Sequence, residues 1–156
     1  MLEKKNTVNN IDVELFLLRG IYKNHGYYHV TFKNKKDFFV KTAVPLQETI
    51  DTQQAKELLK DVSGIRVIDF QAAYESRQRT PPLGIFVSKW ENLPTLENVI
   101  GDEKNKENLG QEKIDELLMR LSKVKAILGP SYFDISERNC FFDREKDQLV
   151  LFDLSK

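Results

Sequence analysis

The stretch Asp134-Ile-Ser-Glu-Arg-Asn139, with the apolar run Leu149-Val-Leu-Phe152 that delivers Asp153, decides how this chain is read. The run is short, apolar and β-prone, and the charged segment Asp143-Arg-Glu-Lys-Asp147 reads as a turn linking it to Cys140-Phe-Phe142. A hairpin of that kind returns Asp153 to the neighbourhood of Asn139. Asp and Asn alone are ordinary turn formers that bond local backbone, so a lone D-x-x-x-x-N says little. The hairpin and the second carboxylate give the pattern its weight.

Upstream, Ile114, Leu117, Leu118, Leu121, Val124, Ile127 and Leu128 recur at helical spacing. They predict a long amphipathic helix that ends before Gly129-Pro130, its apolar face in the core. The polar stretch Gly101-Asp-Glu-Lys-Asn-Lys-Glu-Asn108 reads as a solvated connection. In the first half, Val13–Leu18 and Tyr27–Phe32 read as strands joined through Gly20, Asn24 and Gly26, and Asp37–Thr42 as a third after the turn Lys33–Lys36. Asp51-Thr-Gln-Gln54 resembles a capping box ahead of Ala55, Leu58, Leu59 and Val62, with Gly64 as the stop. Ile65–Phe70 and Leu83–Ser88 supply two more strands, separated by a polar segment ending in Pro81-Pro82. The expected class is α+β, with a five-stranded antiparallel sheet and one helix in residues 1–90, and a smaller, mostly helical part in residues 91–156.

Length and composition bound the function. With 156 residues the chain fits one domain or two small lobes sharing a cleft. Lys+Arg and Asp+Glu both number 24, so no basic field argues for nucleic acid. There is no apolar run of about 18 residues and no leader pattern, so a membrane span and a signal peptide are not expected and the cytoplasm is the default compartment. The single cysteine, Cys140, rules out an intrachain disulfide and reads as a small buried hydrophobe beside Phe141 and Phe142. His25 and His29 lack a carboxylate cluster in the sequence and do not read as a metal site.

Three strands, a helix, two strands, then a long helix and the Asp134–Asn139 motif together resemble the protein-kinase-like superfamily, in particular its compact bacterial and small-molecule-kinase branches. The resemblance implies a role for each matching residue. Phe39-Val-Lys41 is similar to the third-strand motif whose Lys holds nucleotide phosphates, and Glu57, sixteen residues on, is the expected ion-pair partner, with Glu48 as a second candidate. Lys89, Trp90 and Glu91 occupy the place of the hinge that meets the adenine base. Asp134 takes the place of the catalytic Asp that orients or deprotonates the acceptor hydroxyl, and Asn139 and Asp153 those of the Mg²⁺ ligands. The types suit the chemistry, because phosphoryl transfer depends on positioning and on neutralising charge, and Mg²⁺ takes hard oxygen donors while keeping some from the phosphates. The implied cofactors are ATP and Mg²⁺. The implied function is a minimal ATP-dependent phosphotransferase or, as the alternative, a pseudokinase scaffold that binds a protein partner in a regulatory or secretion assembly.

The match is incomplete. A G-x-G-x-x-G loop is absent, with only Gly20 and Gly26 flanking Ile21–His25. Tyr132-Phe133 stands where protein kinases show His-Arg, and Leu154-Ser155 where they show Phe-Gly. The chain runs three residues past Asp153, where family members continue into an activation segment and further helices, so the expectation is a minimal or truncated form.

Overall fold

The computed structural model describes residues 7–8, 11–12, 26–31, 37–74 and 83–156. The chain divides into two units, one of residues 1–50 and 69–91, the other of residues 51–68 and 92–156. Residues 51–68 group with the second unit.

In the first unit two short strands, β1 (Thr7–Val8) and β2 (Ile11–Asp12), pair antiparallel. The main sheet holds β3 (Gly26–Thr31) and β4 (Asp37–Pro45), together with β6 (Phe70–Tyr74) and β7 (Leu83–Lys89), all antiparallel in the order β3-β4-β7-β6. It has four strands among the described residues, not five; the strand expected at Val13–Leu18 lies outside them. Register and alternation put Tyr27, His29, Phe39, Lys41, Phe86 and Ser88 on one face, and Phe38, Val40, Ile85 and Val87 on the other. Those last four are fully buried. A bulge between Thr42 and Val44, with Ala43 at φ +52°, shifts the register where β4 runs into the helix.

That helix, α1 (Leu46–Leu59), starts more than a turn before the capping signal read at Asp51. Asp51 is not its cap, because the carboxylate accepts the Lys156 N–H at 3.0 Å. Glu48 therefore lies in the first turn, where a negative charge suits the helix dipole. Leu58, read as part of the buried face, is exposed.

The second unit is built on a three-stranded sheet in the order β5-β9-β8, with β5 (Ile65–Val67) parallel to β9 (Gln148–Leu151) and β8 (Cys140–Asp143) antiparallel to it. The strand expected over Ile65–Phe70 is thus two elements. Its first half pairs with β9, ending where Ile68 N–H donates to the Leu151 carbonyl at 3.0 Å, and Phe70 begins β6. Three helices follow the main sheet: α2 (Leu96–Gly101), capped by Thr95; α3 (Glu103–Leu109), capped by Asp102; and α4 (Gln111–Leu128). The stretch read as a solvated connection is helical in α3, though none of that helix is buried, which is why it carries no apolar period.

Helix α4 buries Ile114, Leu117, Leu121, Val124 and Leu128 against Leu59, Leu96, Cys140, Phe142, Leu149, Leu151 and Leu154. Ile127, expected in that face, is exposed. The helix stops at Gly129, φ +83°, whose N–H returns to the Lys125 carbonyl at 2.9 Å.

The α4 surface is tied to the β8–β9 turn by charge: Lys113 lies 2.8 Å from Asp147, and Arg120 Nη1 donates to the Asp147 carbonyl at 3.0 Å and to the Gly64 carbonyl at 3.3 Å. Gly64 has φ +75°, and a Cβ there would meet Arg120 Nη1 at 2.7 Å. Gly64→Ala is expected to destabilise the fold by about 1–2 kcal/mol from the left-handed backbone alone, read as a lower urea midpoint at unchanged slope.

Candidate functional site

In the first unit, Lys41 and Glu48 form an ion pair with both side chains largely buried. The Lys41 ammonium also lies 5.6 Å from the centre of the Tyr27 ring, which stacks on Phe39 at 5.9 Å. The expected partner Glu57 is corrected: it faces solvent and pairs with Lys60. The cause is the early helix start, which puts Glu48, not Glu57, in the turn that follows β4. On the same sheet face Ser88 is fully buried, and its hydroxyl has no hydrogen-bond partner among the described residues. At the next residue of α1, the Thr49 and Tyr74 hydroxyls meet, and burial pushes the Tyr74 phenol up to about 12.

The residues expected at the hinge are held from within the unit. Trp90 donates its N–H to the Asp37 carbonyl at 3.0 Å, and its indole stacks on the His29 imidazole with centres 3.7 Å apart and planes 7° from parallel. Asp37 in turn accepts from the Thr31 hydroxyl at 2.6 Å and lies 3.2 Å from His29 Nε2; the Thr31 bond, then His29, holds its carboxyl below the usual range. Lys89 ends β7, exposed, in register with Phe38; Glu91 is half-buried.

In the second unit, the loop from Tyr132 to Asn139 and the β8–β9 hairpin bring Asp134, Asn139 and the start of the Asp153 segment together. Phe152 N–H donates to the Asn139 carbonyl at 3.1 Å, so the hairpin returns as its sequence implied. The Asn139 amide nitrogen donates to the Asp134 carbonyl at 2.9 Å, leaving Oδ1 as the end of the amide that can serve a cation. Asp134 and Asp153 both adopt left-handed backbone, φ +56° and +54°, a conformation Asp tolerates better than most residues. Arg138 was not singled out by the sequence. One of its terminal nitrogens lies 2.9 Å from both Asp134 oxygens and holds that carboxyl below the usual range. Cys140 is fully buried, and burial pushes its thiol up to about 12.

An amide oxygen and a carboxylate are hard donors of the kind Mg²⁺ takes, and it uses few protein ligands when phosphates supply the rest. Among the described residues no group of three or more His, Cys, Asp or Glu forms a self-sufficient metal site, and no helix is long and apolar enough to cross a membrane.

No family model and no curated protein matches the chain. Among solved structures, the kinase domain of maize SIRK1, sucrose-induced receptor kinase 1, bound to AMP-PNP, is similar at 15% identity and a TM-score of 0.45. The match covers 84% of this chain and 48% of that one, so this chain spans about half its length.

Two outcomes are expected. In a carboxyl NMR titration Asp134 titrates below the ordinary Asp value of about 3.9, and Arg138→Gln moves it upward. Because the folded value is the lower one, the Arg138 contact stabilises the fold above the unfolded value and is lost as pH falls through the folded one. Cys140 should react with an aromatic disulfide reagent at pH 8 only once denaturant opens the core.

Proposed function

We propose that this is a kinase-like protein that binds ATP with Mg²⁺ and transfers the γ-phosphoryl group to a hydroxyl acceptor. The observation that carries the assignment is the joint placement of Asn139 and the Asp153 segment by the β8–β9 return, with the Asn139 amide fixed on the Asp134 carbonyl. Asn139 Oδ1 and the Asp153 carboxylate are assigned to the cation. When bound, Mg²⁺ would neutralise charge on the phosphate oxygens.

Each remaining residue then has a role that its surroundings support. Asp134, kept ionised by Arg138, accepts the hydrogen bond of the acceptor hydroxyl and aims its oxygen. Lys41, held by Glu48, meets the phosphates. The Ser88 hydroxyl, buried on the Lys41 face without a partner among the described residues, is a group that a polar ligand atom would satisfy. Since Trp90 N–H is given to Asp37, contacts to the base edge are assigned to Lys89 and Glu91.

A second assignment, a catalytically silent scaffold for a protein partner, is favoured by one observation: both oxygens of Asp134 already face Arg138. An acceptor hydroxyl has to compete with that guanidinium.

Calorimetric titration with ATP, with and without Mg²⁺, separates the outcomes. Wild type is expected to bind more tightly with Mg²⁺. Lys41→Ala should weaken binding in both conditions by about tenfold or more, since it removes a charge-assisted contact to phosphate. Asp153→Ala should abolish only the Mg²⁺ enhancement. Enhancement without ATP turnover would support the scaffold, and no binding by folded wild type would overturn the nucleotide assignment altogether.

A further inference from the structure

Asp51 and Thr52 lie on the buried side of α1, 1% and 3% exposed, where apolar residues ordinarily stand. Their bonds run to two segments. Thr52 Oγ1 donates to the Leu154 carbonyl at 3.0 Å, and Asp51 Oδ2 accepts the Lys156 N–H at 3.0 Å. Tyr132, two residues before Asp134, donates its phenol hydroxyl to the Asp51 carbonyl at 2.8 Å. Phe133 N–H closes the arrangement on the Ser155 carbonyl at 3.0 Å. The Lys156 ammonium reaches Gln54 Oε1 at 3.0 Å and lies 5.2 Å from the centre of the Tyr132 ring.

Asp153 is thereby bounded on both sides. Before it, Phe152 N–H is fixed to Asn139; after it, the Leu154 carbonyl is fixed to Thr52 and the Leu154 side chain is buried in the core. A non-glycine residue in left-handed backbone persists only where its flanks over-determine it, and these bonds supply that constraint.

We propose that Asp51 and Thr52 are positioning residues for Asp153: they fix the backbone of residues 154–156, and through it the place at which the Asp153 carboxylate is presented to a divalent cation. This rests on the assignment of Asp153 to the cation. A merely structural buried pair would change stability and leave cation affinity alone. Partners behind metal ligands tune affinity itself.

The test uses Mn²⁺ as an EPR-visible substitute for Mg²⁺, titrated into the ATP-saturated chain, with amide hydrogen exchange at Leu154–Lys156 followed in parallel. Thr52→Val keeps the shape and loses the hydroxyl; it is expected to weaken Mn²⁺ binding by about tenfold, with Thr52→Ser close to wild type and metal-free ATP binding unchanged in both. Asp51→Ala removes the acceptor of the Lys156 N–H and gives an independent measurement should Thr52→Val not fold. It is expected to weaken Mn²⁺ binding similarly and to release the Lys156 amide to exchange. Wild-type Mn²⁺ affinity in folded Thr52→Val or Asp51→Ala, beside an Asp153→Ala control that has lost it, would overturn the positioning role and leave the cation assignment standing. Wild-type affinity in Asp153→Ala would instead remove the cation assignment, and this proposal with it.

Discussion

Strand β9 is the constraint on which the second unit depends. Leu149, Val150 and Leu151 are essentially without exposure, and their backbone is bonded on both sides, to β5 in parallel and to β8 antiparallel. Each of these side chains contributes about 1.5–3 kcal/mol by leaving water. Register is strict in such a strand, because a slip by one residue would turn every side chain to the opposite face. That strictness sets the point at which Phe152 meets Asn139. The polar loop is therefore placed by an apolar strand that contributes none of its chemistry.

The Lys41–Glu48 pair is accounted for differently. A largely buried ion pair gives little net stability, since desolvating two charges offsets most of their attraction, and an apolar pair of similar volume often serves as well. Its energetic signature is an asymmetry: loss of one partner removes the ion pair while the other charge stays largely buried. The Lys41 ammonium also sits against the Tyr27 ring. Around it the sheet face is crowded with rings, Tyr27 on Phe39 and Phe70 on Phe86. Lys41 is thus held in a low-dielectric setting where its charge acts strongly.

The sequence revealed the parts whose signals are local. The hairpin was legible because a β-prone run follows a charged turn, and α4 because its apolar residues recur until Gly129-Pro130. The start of helix α1 is hidden because its first buried residues, Asp51 and Thr52, are polar, and their partners stand near residue 155, far beyond any local window. Spacing along a helix that begins at Asp51 selects Glu57, whereas the helix that begins at Leu46 puts Glu48 beside Lys41. The run Ile65–Phe70 gave no sign that its halves join different sheets. Arg138 was invisible for a simpler reason: a loop arginine discloses no partner until the backbone turns Asp134 toward it.

Helix α1 has 14 residues, and three of its polar side chains, those of Glu48, Asp51 and Thr52, fall within four positions of one another. A helix advances about 100° per residue, so side chains three and four apart share a side, and a single inserted residue between them would swing one group away from the other. The helix thus has a phase. Exposed positions such as Gln53, Glu57 and Leu58 can vary in identity without disturbing it, whereas the count of residues from 48 to 52 cannot change. In a lineage of such chains, substitutions would accumulate along the outer side of α1 while its length over this one turn stayed fixed.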